Sequence, residues 1–351
     1  MSGALLVIGP SWVGDMVMAQ SLFMRLRERD PGCVIDVLAP GWSLPILARM
    51  PEVRAGIELP LKHGEFGFLQ RRRIGRELRD KRYDRAIVLP NSWKSALVPF
   101  FADIPQRTGY AREFRYGLLN DLRKLDKELL KTTVARFVAL AEDSVPVVPP
   151  SVLFPKLRAD AARAAELRTA LDLPEAPAVA LMPGAEHGPA KQWPAAYYAE
   201  LAKRLGERGL RSWVFGSAKE VALGETIARE SSTAAVNLCG RTSLCDVVDL
   251  FTQCRAAVTN DSGLMHVAAA TGIPVVAIYG SSNPNHTPPL TEYKRIHYLG
   301  LSCSPCFERT CPLGHTDCLR GIVPADVQAS VLDLLNWHEH DVECGRRDID
   351  V

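Results

Sequence analysis

Four loops carry the residues that could do chemistry, and each follows a short apolar run and opens a helical pattern. Gly9-Pro-Ser-Trp-Val-Gly14-Asp15-Met-Val follows residues 5–8, and Met182-Pro-Gly-Ala-Glu-His-Gly-Pro-Ala-Lys191-Gln-Trp-Pro194 follows residues 178–181. Gly216-Ser-Ala-Lys-Glu220 follows residues 212–215, and Thr259-Asn-Asp-Ser-Gly-Leu-Met-His-Val-Ala-Ala-Ala270 continues the run Ala256-Ala257-Val258. Asp261, Ser262 and Gly263 stand at a helix N-terminus, where unpaired N–H groups and the helix dipole favour a phosphate or a developing negative charge. Gly184 and Gly188 let the backbone approach a ligand closely, and Lys191 can bring a point charge to a phosphate. Asp15 could take the proton of an attacking hydroxyl. A carboxylate with an ordinary pKa of about 3.9 is a feeble base for an alcohol. It suffices where the leaving group departs early and the hydroxyl loses its proton late, as in glycosyl transfer. Plainer roles compete: Asp15 and Ser262 as helix caps, Lys191 as a surface lysine and His266 as a core histidine.

These loops need elements to hold them. Apolar runs alternate with helical patterns: strands at 5–8, 34–38 and 86–89, with helices at 15–29, 44–49 and 92–101, and a helix at 131–142. The second half repeats the theme with strands near 178–182, 212–215, 256–259 and 274–278. Such alternation predicts an α/β chain of two doubly wound, Rossmann-like domains facing a cleft. Ligands then bind at the carboxyl ends of the parallel strands, where these loops lie. The proline-dense stretch 145–155 suggests domains at 1–148 and 158–323, joined by a linker at 149–157. A helix near 324–338 and a tail to residue 351 complete the chain. Neither G-x-G-x-x-G nor G-x-x-x-x-G-K-[ST] occurs, which argues against a dinucleotide fingerprint or a P-loop.

The 351 residues, 47% hydrophobic and 23% charged, have the composition of a soluble globular protein. No apolar run approaches a membrane span and no secretory signal is recognisable, so a cytoplasmic protein is expected. Nine cysteines, an odd number, fit reduced thiols better than a secreted disulfide framework. The net charge of +2 conceals an asymmetry: residues 1–150 hold 23 Lys and Arg against 17 Asp and Glu, and the remainder 19 against 23. The basic excess is densest at Arg71, Arg72, Arg73, Arg76, Arg79, Lys81, Arg82 and Arg85. That run is either a solvated helix face or a surface for an anionic partner. Few interleaved aromatics suit base stacking, so no nucleic acid is expected; an anionic membrane surface or a phosphorylated substrate fits better.

Six separated segments carry a family resemblance: Ser11-Trp-Val-Gly-Asp-Met-Val-Met-Ala-Gln-Ser-Leu22, residues 89–102, Arg107-Thr-Gly-Tyr110, Arg115-Tyr-Gly-Leu-Leu-Asn-Asp121, residues 183–194 and Asn260-Asp-Ser-Gly-Leu-Met-His266. Together they resemble the lipopolysaccharide core heptosyltransferases of the second type, over residues 1 to about 300. The resemblance implies a GT-B fold and an inverting transfer of L-glycero-D-manno-heptose from ADP-heptose. The implied acceptor is the first heptose of the lipopolysaccharide inner core on Kdo-lipid A, at the cytoplasmic face of the inner membrane. It also implies that the nucleotide sugar binds the C-terminal domain and the acceptor the N-terminal one. Asp15 then becomes the base and Lys191 the diphosphate ligand. Glu220 becomes the group at the adenosine ribose, with Gly184, Ala185, Gly216, Asp261, Ser262, Gly263 and Leu264 around the nucleotide sugar. Trp12, Asn91, Lys94, Arg112 and Arg115 become acceptor contacts. Another GT-B transferase, a nucleotide-sugar epimerase or a noncatalytic nucleotide-sugar sensor would share much of this pattern. Leaving-group charge can rest on Lys191 and the helix N-terminus, so no cofactor is required for catalysis in principle. The cluster Cys303-Ser-Pro-Cys306-Phe-Glu-Arg-Thr-Cys311-Pro-Leu-Gly-His-Thr-Asp-Cys318 departs from the core pattern. Its spacing is compatible with structural zinc, with free thiols or with a disulfide.

Overall fold

Leu5, Leu6, Val7 and Ile8 are all buried, as a parallel strand covered on both faces by helices requires. They form β1 (Ala4–Ile8), which is joined in one sheet by β2 (Val34–Ala39), β3 (Val53–Glu58), β4 (Arg85–Val88), β5 (Gln106–Tyr110) and β6 (Asp121–Arg123). The order is β3-β2-β1-β4-β5-β6, every neighbouring pair being parallel. A second sheet contains β7 (Ala178–Met182), β8 (Arg211–Val214), β9 (Ala235–Asn237), β10 (Cys254–Asn260), β11 (Val275–Ile278) and β12 (Lys294–His297). Its order, β12-β11-β10-β7-β8-β9, repeats the first one strand for strand, again all parallel. The computed structural model describes residues 3–62 and 64–343 and divides into two units, Met1–Lys156 and Leu157–Val351. Each unit has the doubly wound order whose direction of winding reverses between its first and fourth strands. These switch points fall between β1 and β4 and between β7 and β10.

Helices begin and end where local chemistry dictates. The expected helix at 131–142 is Thr133–Val138 followed by a 3-10 turn, because Thr132 stands outside it and its hydroxyl accepts the Ala135 N–H as a cap. The expected helix at 92–101 is a 3-10 turn, Trp93–Ala96, leading into Leu97–Phe101. The last helix, Pro324–Glu343, buries Val327, Val331, Leu334 and Leu335 in the same core as Trp193, Tyr198 and Val258. It is therefore part of the second unit. The tail beyond Glu343 lies outside the described residues.

The basic run is not one solvated face. Arg71, in the helix Phe68–Leu78, is only 6% exposed and donates through Nε to the Phe66 carbonyl at 2.8 Å. Arg79 donates to the Phe101 carbonyl and pairs with Asp103, and Arg85 is half-buried in β4 with a bond to the Leu140 carbonyl. These arginines lie in a helix, a 3-10 turn and a strand, so their charges are used locally in different places. Among the described residues no helix is long and apolar enough to cross a membrane.

Candidate active site

In the second unit, three loops predicted from the sequence meet at the carboxyl end of the sheet. Lys191, in the 3-10 turn Pro189–Lys191, places Nζ 2.5 Å from the Asp261 carboxylate at the end of β10. Both side chains are largely buried, so a strand-end loop on each side of the switch point contributes one charge to a single site. Ser262 is the N-cap residue of the helix Gly263–Ala270 and makes no side-chain cap; its hydroxyl lies 3.3 Å from that of Thr259. The N–H groups of this first turn thus keep their capacity for an anion. Leu264 lies half-buried in the same turn.

Glu220 joins the site from the third loop. Its carboxylate accepts from the Ser217 N–H and hydroxyl, completing a capping box. It also stands against Gly184, where an added Cβ would come within 2.9 Å of the carboxylate. A side chain at Gly216 would meet Glu220 equally closely, so both glycines hold the loops against one acid. Ala185 is buried beside Gly184.

Residues not singled out as ligands set this geometry. Asn260 accepts from the Trp193 N–H at 3.0 Å and the Tyr198 hydroxyl at 3.1 Å, and donates to the Pro183 carbonyl at 2.7 Å. One buried amide therefore ties the end of β10 to both limbs of the Lys191 loop. Its place inside Asn260-Asp-Ser-Gly was the available signal. His266 is buried next to this pair, and burial lowers its pKa to about 4, so the ring is neutral at physiological pH. Its Nδ1 has no hydrogen-bond partner among the described residues.

The cysteine loop touches the site from behind. The Ala190 N–H donates to the Arg309 carbonyl at 3.0 Å, and a Cβ on Gly188 would fall 2.4 Å from that same oxygen. Gly188 also has φ +149, so both space and backbone call for glycine there. Cys303, Cys306, Cys311 and Cys318 line one small cavity with His315, and none is in a disulfide. Among the described residues no three His, Cys, Asp or Glu side chains are set to hold a metal ion.

In the first unit Asp15 is not the N-cap of its helix. Trp12 holds that position, and Asp15 is third in the helix Val13–Arg29, half-buried at the carboxyl end of β1. A carboxylate in a first helical turn is favoured by the dipole. Asn91 follows β4, and its side-chain oxygen accepts from Arg115 at 3.5 Å. Arg115 is 1% exposed and lacks a hydrogen bond at Nε; it donates to the Pro90 and Tyr110 carbonyls at 2.7 and 2.5 Å. Burial lowers its pKa to about 10, which leaves it charged. Lys94 spends its charge on the Gly64 and Glu65 carbonyls. Lys94 and Arg115 thus brace loops, whereas Trp12, Asn91 and Arg112 are exposed.

Two doubly wound units, the second presenting a cation paired with an acid and a helix N-terminus at its switch point, have the architecture of the GT-B class of glycosyltransferase. The model of glycosyltransferase family 9 (heptosyltransferase) matches residues 71–317, and the chain belongs to this family. It is 50% identical to lipopolysaccharide heptosyltransferase 2 of Escherichia coli (strain K12) over 302 residues, covering 83% of this chain and 87% of that protein. The enzyme of the same name from Salmonella typhimurium is 47% identical over 342 residues, covering 95% of this chain and 98% of its own length. Among solved structures, E. coli ADP-heptose lps heptosyltransferase II superposes with a TM-score of 0.85 at 44% identity, covering 97% of this chain and 100% of that one.

Proposed function

We propose that this glycosyltransferase moves L-glycero-D-manno-heptose from ADP-heptose to the first heptose of the lipopolysaccharide inner core on Kdo-lipid A, with inversion at the anomeric carbon. The observation that carries the donor assignment is the meeting of Gly184, Lys191, Glu220 and Asp261 from three strand-end loops. A nucleoside diphosphate sugar needs this set: a cation and free N–H groups for the diphosphate, and acids for ribose and sugar hydroxyls. Names and lengths of the relatives support the same donor and the same glycolipid core.

In the reaction, an acceptor hydroxyl attacks the anomeric carbon on the face opposite the diphosphate. The bond from that carbon to the β-phosphate oxygen breaks, and its electron pair leaves on ADP. The hydroxyl proton passes to the Asp15 carboxylate, late enough for a weak base to serve. Lys191 and the N-terminus of the helix Gly263–Ala270 take up the charge on the leaving group, so the transfer is derived without a metal. The lipid anchor of the acceptor puts the work at the cytoplasmic face of the inner membrane.

The deciding experiment gives the protein ADP-heptose with lipid A cores that end just before or just after the first heptose. Heptose should enter only the second core. Transfer to the shorter core, or to neither, overturns the acceptor assignment.

A further inference from the structure

We propose that the loops after β3, β4 and β5 form a docking surface that enters the headgroup region of an anionic bilayer. Five rings make a continuous strip there: Trp93 stacks on Phe66 at 6.0 Å, Phe66 on Phe68 at 6.0 Å, Phe68 meets Phe101 at 5.7 Å, and Phe101 meets Phe100 at 5.5 Å. Phe66, Phe68, Trp93 and Phe100 remain exposed although they touch one another. Leu69, in the first turn of the adjoining helix, is 75% exposed. The Trp93 N–H donates to Glu113 at 2.7 Å, which brings in Phe114, 87% exposed, and the exposed Tyr116. Contiguous exposed apolar surface of this kind marks an interaction site, whereas scattered single residues do not.

The strip is held rigid from beneath. Arg71 donates to the Phe66 and Glu65 carbonyls, and Lys94 to those of Gly64 and Glu65. The rings are therefore presented in a fixed arrangement, and little ordering entropy is lost on insertion. Arg72, Arg73 and Arg76 follow Leu69 on its helix face at three, four and seven positions, Arg73 pairing with Glu77 at 2.8 Å, and Arg107 sits 5.8 Å over the Phe100 ring. Aromatic rings and an exposed leucine beside this cationic helix face match an interface with apolar depth and negative headgroups. A second copy of the same surface would bring like charges together, which argues for the bilayer as the occupant. This inference gives the proposed glycolipid acceptor a physical approach route, but the vesicle-binding measurements need neither acceptor nor donor.

The full chain is mixed with vesicles of phosphatidylethanolamine and phosphatidylglycerol, and separately with phosphatidylcholine vesicles, without lipopolysaccharide or nucleotide sugar. Sedimentation should show binding to the anionic vesicles alone, weakened about tenfold or more when salt is raised from about 0.1 M to 1 M. Leu69→Ser and Phe66→Ser together should reduce binding by about tenfold or more. Brominated lipid should quench tryptophan emission in the wild type, and Trp93→Phe should remove most of that quenching. Equal binding by the double variant overturns the proposal, as does wild type that ignores anionic vesicles. A concentration-dependent dimer that Leu69→Ser abolishes, in a protein that does not bind vesicles, assigns the surface to a second copy instead. Transfer to a deacylated, water-soluble core separates the two readings, since losing the docking surface should leave that reaction intact.

Discussion

At the scale of single residues, Asp15, Lys191 and His266 each make a different kind of claim. Asp15→Asn keeps shape and removes the proton acceptor, so ADP-sugar binding should persist while turnover falls at least ~100-fold. Equal turnover by the variant removes Asp15 from the mechanism. Lys191→Ala takes away a cation and uncovers the buried Asp261 carboxylate, and both changes oppose a diphosphate. Its ADP affinity by calorimetry should drop about tenfold or more, and adding Asp261→Asn should recover part of the loss. Unchanged affinity in the single variant would place this lysine outside the site. For His266 the folded pKa of about 4 lies below the ordinary 6.5, so the unfolded chain binds more protons between those values. Its contribution to stability is complete above pH 6.5 and is lost as pH falls toward 4, by roughly 3 kcal/mol. Melting temperature should fall through that window, and His266→Gln should flatten the decline.

At the scale of elements, the brace at Asn260 sets how firmly the donor loops are held. Asn260→Ala strands the Trp193 N–H and the Pro183 carbonyl and leaves the Tyr198 hydroxyl its bond to the Met182 carbonyl, which costs about 2 kcal/mol or more. The melting midpoint should drop by several degrees and ADP binding should weaken with it; a midpoint at the wild-type value would mean that the loop does not depend on this amide. The strands flanking each switch point, β1, β4, β7 and β10, were readable because buried parallel strands are continuous apolar runs. Those at the sheet edges, β3, β6, β9 and β12, were not, since an edge strand keeps polar or exposed residues such as Arg54, Asp121, Asn237 and Lys294. The same logic made the donor loops legible and the basic run misleading. Strand-end loops follow from topology, whereas the burial of Arg71 follows from a carbonyl five residues away in a turn that sequence periodicity does not describe.

For the molecule as a whole, the proposed function gives the charge asymmetry a use, with the basic first half meeting an anionic acceptor and the second half holding a nucleotide at short range. Rising ionic strength should therefore raise the apparent KM for the glycolipid acceptor while hardly altering ADP affinity. Neutralising Arg72, Arg73 and Arg76 should flatten the acceptor's salt dependence; an unchanged slope would make them ordinary solvated residues. Arg71 is left out of that set because replacing it would release the Phe66 turn. Sequence distance concealed one contact of the candidate site, since residues 190 and 309 lie in separate loops of the second unit and only the folded chain brings them together.

That contact is made by a backbone carbonyl, and a carbonyl is supplied by every amino acid. Position 309 can therefore change its side chain without disturbing the Lys191 loop, whereas adding or deleting one residue between β12 and Cys318 would slide a different atom under Gly188. In this part of the enzyme the constrained quantity is a length of chain rather than an identity, so substitutions across the segment should be tolerated far better than insertions of equal chemical mildness.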